Sequence, residues 1–195
     1  MARVARDPAA VAVLFPAAGR RCGRDPLADP GPGLAGWTVD DAARVLLLTA
    51  LPLRGTALAE QAVALYRYGS AAEKRAVLRA LPRLDIGPGA VELLHDAIRT
   101  NDPRLVSAAV GPYARHLDDR LWRQAVLKCV FMDIPLTAVA DLDRRADGEL
   151  ARMLADLDDE RRAAGRAMPD DAGALLVLIG ADMPARSGER KEEAG

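Results

Sequence analysis

The chain has 195 residues, half of them hydrophobic and only 4% aromatic. That is enough chain for a core built mostly of Ala, Leu and Val, which suits closely packed helices and excludes disorder of the chain as a whole. With 27 basic and 28 acidic residues the net charge is -1, and the isoelectric point of about 6.1 comes without the basic block expected of a nucleic-acid binder.

Arg3 and Arg6 precede an apolar stretch, Ala9–Phe15, that superficially imitates a secretion signal. Asp7 and Pro8 interrupt its approach, and Arg20-Arg21 follow where neutral cleavage residues belong, so the stretch reads as a short first helix ended by Pro16. No apolar run approaches the roughly 18–20 residues needed to span a bilayer. Residues 19–36, GRRCGRDPLADPGPGLAG, are rich in Gly and Pro and read as a loop.

Thr38 caps the next helix, with Asp41 as capping-box partner and Val39, Ala42, Ala43, Leu46 and Leu47 as its stripe; Pro52 ends it. A helix from about Thr56 to Tyr68 follows, with Gly69 at its C′ position. Ser70 and Glu73 form a second capping box before Val77, Leu78 and Leu81. After Gly87-Pro88-Gly89 another helix runs to Thr100, and Asp102 caps the one after it, with Pro103 at N1. Asp118 opens a helix to Met132, a short one lies near Thr137–Arg144, Asp147 opens a longer one to Ala164, and Pro169 opens the last.

The expected fold is therefore all-α, about eight helices with no sheet, in one domain over residues 1–183 with a disordered polar tail at 184–195. The caps at Thr38, Ser70 and Asp102 are 32 residues apart. That spacing fits tandem αα-hairpins of the HEAT or tetratricopeptide kind, or an irregular helical bundle in which it is coincidental.

Chemistry-bearing groups are sparse. Cys22 and Cys129 make no framework and read as free thiols in a reducing cytoplasm. His95 and His116 lack any zinc-ligand spacing, and no GxSxG nucleophile signal occurs. No catalytic residue, metal or cofactor is expected. The acidic run Asp156, Asp158, Asp159 and Glu160 lacks the aspartate that would close a DDxxD motif; Arg162 stands there. Arg152–Asp156 and Asp158–Arg162 are i,i+4 pairs that suit a solvated helix face. Trp122 reads as core rather than as a ligand platform. Lys128 lies in the apolar run Ala125–Met132, which implies an interior helix and a partner for the ammonium. The partner is an anion in a cavity or a carboxylate, unless the side chain snorkels at the helix edge.

Several pieces resemble the EboA family: Arg99-Thr100-Asn101, Trp122 to Lys128 (WRQAVLK), Ile134-Pro135-Leu136, Arg144-Arg145 with Glu149-Leu150-Ala151, and Glu160 to Arg166 (ERRAAGR). The resemblance covers roughly residues 37–180. It implies a bacterial or algal gene cluster whose other proteins resemble a membrane prenyltransferase, a sugar-phosphate cyclase, a metal-dependent hydrolase, a TIM-barrel isomerase and a phosphatase. It carries no established reaction. It implies a ligand-binding set of Arg99, Asn101, Trp122, Lys128, Glu160 and Arg166, with Glu160 as first choice of partner for Lys128. The expected function is a non-catalytic adaptor or small-molecule carrier in a secondary-metabolite pathway, with the other proteins of the cluster and a small molecule as partners. The alternative is an enzyme acting on a prenylated or phosphorylated small molecule, with Lys128 and arginines binding an anion.

Overall fold

The computed structural model describes residues 2–180. The tail expected to be disordered, 184–195, lies outside them. The chain folds as α1 (Ala2–Arg6), α2 (Val11–Cys22), α3 (Val39–Thr49), α4 (Gly55–Arg67), α5 (Ala71–Ala80), α6 (Val91–Arg99), α7 (Pro103–Ala109), α8 (Asp119–Phe131), α9 (Leu142–Arg145), α10 (Gly148–Ala163) and α11 (Asp170–Gly180). Four short 3-10 helices join some of them. Among the described residues there is no strand; an isolated antiparallel bridge, Pro26 to Thr38, ties the Gly/Pro-rich loop to the start of α3. The all-α class is as the sequence predicts.

The helix starts follow local chemistry. Both capping boxes form: Thr38 with Asp41, and Ser70 with Glu73. Asp102, Asp118 and Asp147 accept the N–H groups of Arg104, Leu121 and Leu150. Each cap satisfies donors that the first helical turn leaves without a partner.

Some sequence-based expectations need correction. Pro16 does not end the first helix but lies inside α2. Ala12 and Pro16 are both exposed, so the carbonyl that loses its donor reaches water. The helix continues to Cys22, and the irregular stretch begins at Gly23 rather than at Gly19. Gly69 does not take the left-handed conformation expected of a C′ glycine. It is needed for space instead: a Cβ there would lie 2.7 Å from the Leu65 carbonyl oxygen and 2.9 Å from Glu73 Cβ. The short helix near Thr137–Arg144 is split into a 3-10 turn at Leu136–Ala138 and α9, because Asp141 adopts φ 59°.

The chain divides into two compact units, one ending at Asp141 and one beginning at Leu142. In the first, α2 packs on α3, α3 on α5 and α5 on α7, while α4 lies against α5 and α6 against α7. The helices capped by Thr38, Ser70 and Asp102 are thus successive neighbours. Leu48, Val77, Leu78, Leu81, Leu94 and Val106 are among the fully buried side chains of this unit. In the second, α10 packs on α11, and Leu150, Leu154, Ala172 and Leu175 are buried.

A buried ionic network joins α3 to α5 and α2. Asp40, Asp41 and Arg44 are each no more than 2% exposed. Asp41 accepts from Arg75 Nε at 3.2 Å and from Arg79 Nη1 at 2.5 Å while it caps α3. Asp40 accepts from the Thr38 hydroxyl at 2.6 Å and from Arg44 Nη1 at 2.5 Å. The Arg44 Nε donates to the Phe15 carbonyl of α2 at 3.0 Å, and its guanidinium lies 5.7 Å from the centre of the Phe15 ring. Arg79 and Arg83 lie over Trp37, at 5.1 and 4.9 Å. Burial pushes the Asp40 carboxyl up, but the Thr38 hydroxyl and the Arg44 guanidinium outweigh it and hold it below the usual carboxylate range.

Removing one member of such a network leaves a buried charge uncompensated, which costs roughly 3–5 kcal/mol. Loss of a simple cap costs about 1 kcal/mol. Urea titration should therefore rank Asp41→Ala well below Asp102→Ala in stability, and equal losses would refute the role given to Asp41. Because the folded-state pKa of Asp40 is depressed, its contribution is present above the unfolded value of 3.8 and disappears as the pH falls through the folded value. The urea midpoint of Asp40→Asn, measured across a pH series, should accordingly fall less than the parent's as the pH drops below that value.

Candidate functional site

The six residues drawn from the family resemblance take different places. Arg99, in the last turn of α6, is exposed and pairs with Asp96 at 3.6 Å. The same Asp96 accepts from the Tyr66 hydroxyl at 2.9 Å and lies 4.0 Å from the Lys74 ammonium. Asn101 is exposed in the turn before α7. Trp122 is 1% exposed and packs in the core face of α8 with Val126 and Cys129. These three and Lys128 belong to the first unit; Glu160 and Arg166, both exposed, belong to the second.

Lys128 does not sit in an interior helix. α8 is amphipathic: Trp122, Ala125, Val126, Cys129 and Val130 are buried, whereas Gln124, Lys128 and Phe131 share the outer face at i, i+4 and i+7. Phe131 is 62% exposed, and that exposed aromatic is what makes the run look apolar all round. The Lys128 side chain is half-buried, and no carboxylate of its own unit pairs with it. The carboxylate partner expected for a buried ammonium is not required, because a half-buried stem leaves the ammonium in reach of water.

The remaining reactive groups are subdued by burial. Cys129 is fully buried, and burial pushes its thiol up to about 12, which leaves almost no thiolate at neutral pH. His116 is held below the usual imidazole range by burial and then by Arg115. Its Nε2 is buried with no hydrogen-bond partner, and its ring meets Tyr113 edge-on at 4.8 Å. Tyr66 is raised by burial and by its bond to Asp96. Arg152 pairs with Asp156 at 2.9 Å, and Arg162 pairs with Asp158, as the i,i+4 spacing predicts. Asp158 itself is 7% exposed, so that position is not solvated. Among the described residues no group of three His, Cys, Asp or Glu side chains is placed to hold a metal ion.

An open groove of about 430 Å³ lies between α2 and α3. Leu14 and Ala18 from α2 and Ala43, Leu46 and Leu47 from α3 line it, together with Arg3 of α1 and Arg21 and Cys22 at the end of α2. Each helix contributes residues at i, i+3 or i+4 spacing, so a single face of each borders the opening. The size suits a small molecule. Leu46 is 49% exposed despite its place in the α3 stripe. None of the six residues suggested by the resemblance borders this groove.

A comparison with protein families matches residues 30–176 to the family described as metabolite traffic protein EboA. The chain belongs to the EboA family. No curated protein and no solved structure matches it. The EboA match includes α3, and hence Ala43, Leu46 and Leu47, but begins after α1 and α2, which supply the opposite wall of the groove. One wall thus lies inside the family-matched region and the other precedes it.

The sequence signal that could have found the groove was the stripe Ala43, Leu46 and Leu47. The stripe alone does not show which of its members a neighbouring helix leaves uncovered. No helix among the described residues is long and apolar enough to cross a membrane.

Both cysteines are free, Cys22 exposed and Cys129 buried. Ellman's reagent at neutral pH should therefore titrate one thiol in the native protein and two in guanidinium chloride. Cys22→Ser should abolish the native reaction; a native Cys129 reaction would contradict its burial.

Proposed function

We propose that this EboA-family protein is a non-catalytic carrier for a small metabolite, acting in the cytoplasm with the other proteins of its gene cluster. The observation that carries the reading is the apolar groove between α2 and α3, together with the family's description as metabolite traffic. Leu14, Ala43, Leu46 and Leu47 offer apolar contact without a nearby nucleophile–base pair. Such a surface holds a molecule and does not transform it. An open wall lets cargo pass to a partner protein, which suits a carrier better than a closed reaction chamber.

A second reading rests on Lys128. Its ammonium, on a half-buried stem, has no acidic partner among the described residues of its own unit, so it is free to take an anion. In that version the protein is an enzyme acting on a prenylated or phosphorylated small molecule. In that reading Lys128 is the residue that binds the anion.

Two measurements separate the readings. Native mass spectrometry of the full chain purified from its source should show a bound small molecule, which Leu46→Asp removes and Lys128→Met leaves in place. Pull-down should recover other proteins of the cluster with both variants. Turnover of a pathway intermediate by the isolated protein, lost in Lys128→Met, would overturn the carrier reading.

A further inference from the structure

From the groove's composition we infer that its ligand is an anionic amphiphile, a small molecule with an apolar body and one carboxylate or phosphate, with Arg3 and Arg21 receiving the acidic end. The inference rests on the carrier reading and adds the chemical class of the cargo. The apolar part is set by Leu14, Ala18, Ala43, Leu46 and Leu47, and the charged part by the two ionisable side chains that, besides Cys22, line the opening among the described residues. Both are arginines, and neither has a carboxylate partner among the described residues.

Charge distribution supports the assignment. Residues 2–24 carry five arginines, Arg3, Arg6, Arg20, Arg21 and Arg24, against the single acid Asp7. The rest of the chain is net acidic, since the whole has a net charge of -1. The first two helices therefore present positive potential on a protein that is otherwise slightly negative, and such a field draws anions. A helix C-terminus also favours cations, which accounts for a basic residue at Arg20 or Arg21. Arg3 lies in the last turn of a different helix, α1, so two separate helix ends bring arginines to the same opening. Guanidinium groups fit carboxylate and phosphate through paired N–H donors, and such charge-assisted bonds are about twice as strong as neutral ones. Three arginines of the neighbouring helices α3 and α5 are committed differently: Arg44, Arg75 and Arg79 are all held by Asp40, Asp41 or Glu73.

The test uses the full chain with three probes below their aggregation limits: decanoate, decyl phosphate and decanol. Calorimetric titration should show that the two anions bind at least 10-fold more tightly than decanol. Arg3→Gln and Arg21→Gln should each weaken the anions about 10-fold and leave decanol unchanged. Arg20→Gln, an exposed arginine that does not line the groove, should change nothing. Leu46→Asp should abolish all three. Both groove arginines are exposed, so the variants should keep the parent's circular dichroism and Tm. Because Cys22 borders the groove, saturating decanoate should also slow its reaction with Ellman's reagent several-fold. Equal binding of decanol and decanoate, both lost in Leu46→Asp, would overturn the anionic class and leave the carrier reading standing. Binding of all three probes unaffected by Leu46→Asp would overturn both. Sedimentation with phosphatidylglycerol vesicles that depends on Arg3 and Arg21, without binding of monomeric decanoate or decyl phosphate, would show that the arginines read a lipid surface, and the inference would fall.

Discussion

Two arginines of α5 converge on one buried carboxylate in the first turn of α3. Asp41 accepts from Arg75 and Arg79 and at the same time takes the Thr38 N–H, so one side chain both starts α3 and fastens it to α5. One residue earlier, Asp40 holds Arg44, which reaches the Phe15 carbonyl of α2. The position of α3 between its two neighbours is therefore set by directed polar contacts as well as by apolar packing. In a core short of aromatic side chains, non-directional burial alone would leave helix rotation weakly specified. The network supplies direction because its donors and acceptors fit in one arrangement, and the two carboxylates at its centre, Asp40 and Asp41, are buried away from water.

The groove follows from that arrangement. α3 is held to α2 through Arg44 and Phe15, and small residues, Ala18 and Ala43, stand where the two helices face the opening. Leu14, Leu46 and Leu47 then border a space that neither helix fills. An apolar opening of this size in contact with water forgoes burial that a larger side chain at Ala18 or Ala43 would supply. A ligand with an apolar body recovers that burial.

The burial pattern also sorts the reactive groups. Cys129 and Tyr66 are titratable in principle, but burial moves both still further above neutral pH than their ordinary values. Arg44, Arg75 and Arg79 are occupied by the network. What remains available at the α2–α3 opening is a pair of arginines and one exposed thiol beside apolar surface. These are the groups on which the carrier proposal rests, beside the family's description as metabolite traffic.

The helical class and five helix starts were determined by the sequence itself. Capping residues act on N–H groups two or three positions away, so Thr38, Ser70, Asp102, Asp118 and Asp147 could be read without knowing any neighbour in space. The EboA resemblance was legible for a similar reason, since its pieces are contiguous in the chain. Contacts between distant residues were not legible. Asp41 looked like half of a capping box, and its bonds to Arg75 and Arg79 bridge more than thirty positions that no local pattern connects. The sequence makes α8 look interior around Lys128 because Phe131, an exposed aromatic, mimics a buried one in a one-dimensional pattern; the half-buried side chain matches the alternative of a lysine at the helix edge. Leu46 belonged to the apolar stripe of α3, yet only the packing of α2 decided that it would border a groove rather than fill a core. Local chemistry determines where helices begin and which face is apolar; which part of that face stays uncovered depends on the shape of the neighbour, and that is a property of the tertiary structure alone.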